Sequence, residues 1–242
     1  MPLPLRWILS LIFIIQMYLA MVIAALIFAI PALISRNGAF AAVHAYSRWV
    51  RLTARLLVGL RTEIRGAVPQ GEVIIAAKHQ SFFDIIMLCS VLPRPKFIMK
   101  QELIWTPILG QYALRIGCIP VNRGKRGAAI AKMKEDAAKA ALIPGQLVIY
   151  PQGTRVPPGE KLPYKIGAGL LYSQFNQPCI PAATNVGLFW PKRGILRHSG
   201  TAVIEFLPAI PPGQPLGEFM RSIEARIETA SDALMRQAGW QG

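Results

Sequence analysis

Residues 72–88 read EVIIAAKHQSFFDIIML: an apolar run, a break at Lys78-His79-Gln80-Ser81, and a second apolar run from Phe82. The first run is short and bounded by turn and polar residues, which predicts a buried strand over Glu72–Ala77. The second predicts a helix beginning near Phe82. Ser81 then stands at its N-cap, with Asp84 three residues later in the arrangement of a capping box. This accounts for Asp84 as a first-turn acid favoured by the helix dipole. It also leaves room for another role. On one helix, five positions at about 100° each would put His79 and Asp84 on different faces. With His79 in the turn ahead of the helix, the two can meet. The carboxylate then fixes the imidazole tautomer and steadies the imidazolium that forms when the other nitrogen takes a proton. From spacing alone both readings of Asp84 stand, and so does that of His79 as an ordinary strand-end histidine.

Working outward, Leu147–Tyr150 (LVIY) and Ile180–Asn185 are further short apolar runs that predict strands. Ala128–Leu142 and Leu216–Gln237 carry helical patterns. Strands interleaved with helices predict an α/β domain, a mainly parallel sheet sandwiched by helices. No internal repeat or low-complexity linker divides it, so residues 61–242 are expected to form one catalytic domain.

Residues 1–60 have a different character. Between Arg6 and Arg36 lie 29 residues without a charge, WILSLIFIIQMYLAMVIAALIFAIPALIS. A bilayer-spanning helix needs about 20 apolar residues. The stretch is too long for the apolar core of a signal peptide, and no clear cleavage site follows. It is expected to be a retained membrane helix that Pro31 kinks or ends. The next segment, about Phe40–Leu60, sets Arg48, Arg51 and Arg55 at helical spacing among Ala, Val, Leu and Trp49. Such a basic amphipathic helix suits a lipid headgroup layer, or else packs as a surface helix on the following domain. The two segments together can also form a hairpin dipping into one leaflet.

The chain holds 27 basic and 12 acidic residues, a formal net charge of +15. That surplus predicts an anionic partner. With 53% hydrophobic residues the membrane is favoured over nucleic acid, so anionic lipids are the expected surface. If the first helix spans, the basic residues after it put the body on the cytoplasmic side, in a bacterium at the inner membrane. Cys89, Cys118 and Cys179 are odd in number and widely spaced. They predict reduced, buried thiols, with neither a disulfide framework nor a metal site.

Four blocks, in order across residues 78–182, resemble the glycerolipid acyltransferase family, the lysophosphatidate acyltransferases in particular. His79-Gln80-Ser81-Phe82-Phe83-Asp84 is similar to the family's HxxxxD block. Gly117-Cys118-Ile119-Pro120-Val121-Asn122-Arg123 is similar to the second, Tyr150-Pro151-Gln152-Gly153-Thr154-Arg155 to the third, and Cys179-Ile180-Pro181-Ala182 to the fourth. The resemblance implies that His79, with Asp84, acts as general base on an acceptor hydroxyl, which attacks an acyl thioester. It implies no metal and no resident cofactor, with acyl-CoA or acyl-acyl carrier protein as co-substrate. The lack of a GxSxG elbow agrees with direct transfer. Arg123 and Arg155 are implied to bind the acceptor phosphate, for which guanidinium offers bidentate donors. Gln152, Gly153 and Thr154 complete the implied substrate-binding set. The backbone N–H groups of Gly153 and Thr154 are expected to face the reacting oxygen or the phosphate.

Two positions depart from the family pattern. Lys78 stands where Asn is usual, a cation expected to favour an anionic substrate or lower the basicity of His79. Gln152 stands where Glu is usual and lacks its charge. The expected acceptor is the lysophospholipid lysophosphatidic acid, with another lysolipid, such as a lyso-aminolipid, or glycerol 3-phosphate as alternatives. Lys125, Arg126, Lys161, Lys165, Lys192, Arg193 and Arg197 form either a rim for anionic donors and lipid or merely solvated charge. A non-catalytic membrane tether would leave His79, Asp84 and the Gly-Thr-Arg turn without a purpose. A metal-dependent phosphoesterase is short of ligands.

Overall fold

A computed structural model describes residues 2–122, 135 and 143–241. The helix expected over Ala128–Leu142 therefore lies outside the described residues, apart from helical Glu135. Among the described residues seven strands form one sheet: β1 (Leu60–Arg65), β2 (Ile74–Ala77), β3 (Pro95–Lys100), β4 (Ile119–Val121), β5 (Gln146–Ile149), β6 (Cys179–Thr184) and β7 (Gly200–Phe206). Their order is β1-β7-β6-β2-β5-β3-β4, and every neighbouring pair is parallel except β6 with β7. The outer β1–β7 ribbon thus runs against the rest, and the sheet is mainly parallel as expected. Strands β2 and β5 are buried along their whole length, as central strands covered on both faces must be.

Alternation along β2 divides the core. Ile75 and Ala77 join the cluster that includes Val50, Ala54 and Val58 of α3 (Arg36–Val58) and Phe83, Ile86 and Met87 of α4 (Phe82–Val91). Ile74 and Ala76 join the opposite cluster. It is built with Ala168, Leu171 and Tyr172 of α6 (Gly167–Phe175) and with Phe219, Ile223 and Ile227 of α7 (Leu216–Gln237). The short α5 (Leu109–Arg115) lies between β3 and β4 in the chain. Helices therefore cover both faces, a three-layer sandwich.

The uncharged N-terminal stretch is two helices, α1 (Leu3–Ile27) and α2 (Ala29–Ile34). The break falls four residues before Pro31, because the proline ring takes the place of a donor and clashes with the carbonyl at Ile27. Helix α1 is long and apolar enough to cross a membrane, and most of its residues are exposed. Phe13 and Met17 bury its inner face. Ser35 then caps α3, its Oγ accepting the Gly38 N–H at 3.1 Å. Of its two readings, helix α3 shows the packing one and leaves a basic face outward. It packs on α4 through Val50, Ala54 and Val58 while Arg48 and Arg55 stay exposed. The three cysteines are buried and free, and burial pushes the Cys118 and Cys179 thiols up to about 12.

Gly38 sets the approach of α3 to α2, since a Cβ there would lie 2.2 Å from the Pro31 carbonyl oxygen. Gly38→Ala is expected to cost about 2 kcal/mol or more, the scale of an overpacked core. The check is the thermal unfolding midpoint in detergent; an unchanged midpoint would mean that α2 can move off α3 freely.

Candidate active site

His79 lies two residues beyond the end of β2, at the carboxyl edge of the parallel strands where open α/β sheets carry their sites. Strand alternation sends it to the α3/α4 face. The Asp84 carboxylate, 1% exposed, meets it there. His79 Nδ1 is 3.0 Å from Asp84 Oδ1. The other oxygen, Oδ2, accepts the backbone N–H groups of Gln80 at 2.9 Å and Ser81 at 2.8 Å. Ser81 Oγ in turn accepts the Phe83 N–H at 3.2 Å and completes the capping box. Both readings of Asp84 hold together: one oxygen caps α4 and one orients the imidazole. Because the carboxylate only accepts, Nδ1 carries the hydrogen, so in the neutral imidazole Nε2 is the acceptor, and it has no partner among the described residues.

The turn after β5 closes on the same histidine from both ends. The Tyr150 ring stacks on His79, with centroids 3.9 Å apart and planes 17° apart. The Val156 N–H donates to the His79 carbonyl at 2.8 Å. Gln152, Gly153, Thr154 and Arg155 all lie between these two attachments. Gly153 takes φ 70°, a left-handed conformation suited to glycine, and its N–H donates to Tyr150 O at 2.8 Å. That corrects one expectation: the Gly153 N–H already closes the turn, and of the two only the Thr154 N–H has no partner among the described residues. Gln152 is buried, its Nε2 donating to Leu162 O at 3.2 Å, while its Oε1 has no hydrogen-bond partner among the described residues. Half-buried Arg155 makes one long contact among the described residues, Nη1 to Lys192 O at 3.5 Å. Arg123, Lys125 and Arg126 lie outside the described residues. Among the described residues no three His, Cys, Asp or Glu side chains converge to hold a metal.

Residues 60–185 match the acyltransferase family, which is more than half of the chain. The chain belongs to the acyltransferase family. Over 170 residues it is 26% identical to the 1-acyl-sn-glycerol-3-phosphate acyltransferase of Pseudomonas aeruginosa, covering 69% of this chain and 66% of that one. To the human 1-acyl-sn-glycerol-3-phosphate acyltransferase alpha it is 30% identical over 81% of this chain and 71% of the human one. The crystal structure of the 1-acyl-sn-glycerophosphate (LPA) acyltransferase PlsC from Thermotoga maritima superposes with a TM-score of 0.78. It is 17% identical, with 95% of this chain and 97% of that chain covered, and the likeness establishes the fold.

In this acyltransferase Lys78 does not serve the site, contrary to expectation. One residue along the strand from His79, it points to the opposite face. There it is 4% exposed and its Nζ reaches both Glu228 oxygens, at 2.8 and 2.7 Å. The Tyr164 hydroxyl donates to Glu228 Oε1 at 2.8 Å, and burial, then the charge of Glu228, pushes that hydroxyl above its ordinary range. Sequence reasoning missed this buried triad, whose only signal is a lysine following an all-apolar strand. It also missed the contact of Tyr150 with His79; an aromatic heading the third block was the available sign. Burial, with Asp84 nearby, holds the Tyr150 hydroxyl well above its ordinary value.

Lys78→Met strands the Glu228 charge and is expected to cost about 3 kcal/mol, as for breaking a buried ion pair, with Lys78→Met/Glu228→Leu recovering most of it. Unfolding in detergent gives the stability, and steady-state kinetics gives the KM for a phosphorylated acceptor. A raised KM without loss of stability would return Lys78 to substrate binding.

Proposed function

We propose that the chain transfers an acyl group from a thioester to the free sn-2 hydroxyl of lysophosphatidic acid, giving phosphatidic acid. The observation that carries this is the imidazole of His79, tied at Nδ1 to buried Asp84 and open at Nε2. Nε2 takes the hydroxyl proton as the oxygen attacks the thioester carbonyl carbon. The tetrahedral oxyanion collapses, the C–S bond breaks, and the imidazolium returns its proton to the departing sulfur. Asp84 steadies the charged ring between those steps. Tyr150 fixes the plane of the ring by stacking on it.

Arg155 and Arg123 hold the acceptor phosphate in this reading, with the Thr154 N–H available to the phosphate or the oxyanion. Acyl-CoA or acyl-acyl carrier protein supplies the acyl group, and the reaction requires no metal or resident cofactor. Residues 1–60 anchor the catalytic body, 61–242, to a membrane bearing anionic lipids. In a bacterium this is the inner membrane, with the body on the cytoplasmic face. The names of the relatives support the acceptor, and the exposed apolar α1 supports the anchor. With Lys78 committed to Glu228, one reason for a different acceptor is removed.

Purified protein in detergent, offered lysophosphatidic acid, glycerol 3-phosphate and an amine lysolipid with each donor type, is expected to acylate the first. His79→Ala should lower kcat by about 10²-fold or more, the scale of a lost general base. Full activity in that variant would remove the mechanism, and product from another lysolipid alone would reassign the acceptor.

Arg155→Ala should act chiefly on KM for lysophosphatidic acid. An unchanged KM would take Arg155 out of the phosphate site.

A further inference from the structure

Away from His79, α3 and the start of β1 form an open surface cleft of about 500 Å³ lined by Arg48, Arg51, Leu52, Arg55, Arg61 and Thr62. That volume falls within the range of roughly 300–1,000 Å³ typical of small-molecule sites. Arg48, Arg51 and Arg55 share one helix face at spacings of three and four, and Arg61 joins them from the neighbouring strand. Like charges at such spacings oppose helix formation. Yet no carboxylate among the described residues pairs with any of the four. Glu63, the nearest acid in sequence, is taken by Arg65 at 2.7 Å. Arg51 is fixed in place, Nε donating to Thr62 Oγ1 at 2.9 Å and Nη1 to Ser90 Oγ at 2.8 Å. Burial and then Arg48 lower its guanidinium from the ordinary value, a strain that a bound anion relieves.

The surroundings identify the source of the anion. Leu52 and Leu56 are exposed on the same helix at 50% and 69%, beside the arginines. Trp49, next to Arg48, is half exposed and donates from Nε1 to Gln16 Oε1 of α1 at 2.9 Å. Gln16 is flanked by exposed Ile15, Tyr18 and Leu19, so the arginine stripe adjoins the apolar face of α1 through an indole. Gln16 stands near the midpoint of α1, so the indole marks a bilayer–water boundary with α1 lying along the interface in one leaflet, not crossing the bilayer. We infer that this cleft binds the phosphate of an anionic membrane lipid, whose acyl chains lie along Leu52 and Leu56, separately from the acceptor at His79. The inference rests on the membrane placement of α1 proposed above.

The test is thermal unfolding of the full chain in neutral detergent micelles with dioctanoyl phosphatidylglycerol, dioctanoyl phosphatidylcholine or inorganic phosphate. At about a hundredfold excess over its dissociation constant, phosphatidylglycerol is expected to raise the midpoint by about 5 °C or more. Arg48→Gln/Arg55→Gln should abolish the shift and Arg61→Gln, on a different element, should reduce it. The charge-matched Arg221→Gln/Arg226→Gln, on α7, should keep it. His79→Ala should keep it as well, which separates this site from the reaction. A shift undiminished in Arg48→Gln/Arg55→Gln, or equally lost in the α7 control, would overturn the cleft as the site. An equal shift from phosphatidylcholine would overturn its preference for an anion, and one from inorganic phosphate alone would overturn the lipid.

Discussion

A carboxylate has two oxygens, and Asp84 gives each a different task. Oδ2 collects the N–H groups of Gln80 and Ser81, which would otherwise be buried donors at the start of α4, and Oδ1 holds Nδ1 of His79. The loop from strand to helix, the first turn of α4 and the direction of the imidazole are therefore set by one side chain. An unpaired buried carboxylate, or unpaired buried N–H groups, would each be costly, so the arrangement stands or falls as a unit. Gln80 extends it: its Oε1 accepts the Gly187 N–H at 3.0 Å and ties the same loop to the segment after β6.

The second constraint is the strict alternation of β2. Adjacent side chains leave a strand on opposite faces, so Lys78 and His79 serve different layers although they are neighbours in sequence. Lys78 anchors α7 through Glu228, and His79 meets α4 and the turn after β5. A shift of one residue in this strand would exchange them, placing a buried cation at the site and the histidine among the packing of α7. The parallel neighbours β5 and β6 hold the register on both sides, pairing Ile75 with Val148 and with Ile180.

The parts legible in sequence are those where one local pattern suffices. The strands at β2, β5 and β6 are short apolar runs, and α7 spans the expected Leu216–Gln237. Ser81 and Asp84 announce the start of α4, and Pro31 announces the helix break. Strands β1 and β7, LRTEIR and GTAVIEF, were not legible, because polar and apolar residues mix along them. Their pairing joins residues about 140 apart, information that no local window contains. In the site, spacing allowed His79 and Asp84 to meet and the resemblance of the ordered blocks paired them, but the environment of Lys78 and the stacking of Tyr150 depend on contacts across layers. Gly153 illustrates the same limit: its turn was legible, whereas the use of its N–H within that turn was not.

The apolar N-terminal helix is mechanically joined to this site. Phe13 of α1 meets Trp190 edge-on at 5.4 Å, and Trp190 stacks on Phe83 at 4.9 Å, one residue before Asp84. Arg197 lies over the other side of this assembly, 4.4 Å from the Trp190 ring, and its backbone N–H donates to Ser10 Oγ of α1 at 3.0 Å. The helix is thus joined to the first turn of α4 through Trp190 and is not a tether on a free linker. For the proposed lipid reaction this matters physically. A body that tumbled on a flexible anchor would have to find its acceptor hydroxyl at every depth of the interface. A body clamped to the helix proposed as its anchor would present Nε2 of His79 at one depth, and the cost of orienting a half-immersed substrate would be met once, by the fold, before the substrate arrives.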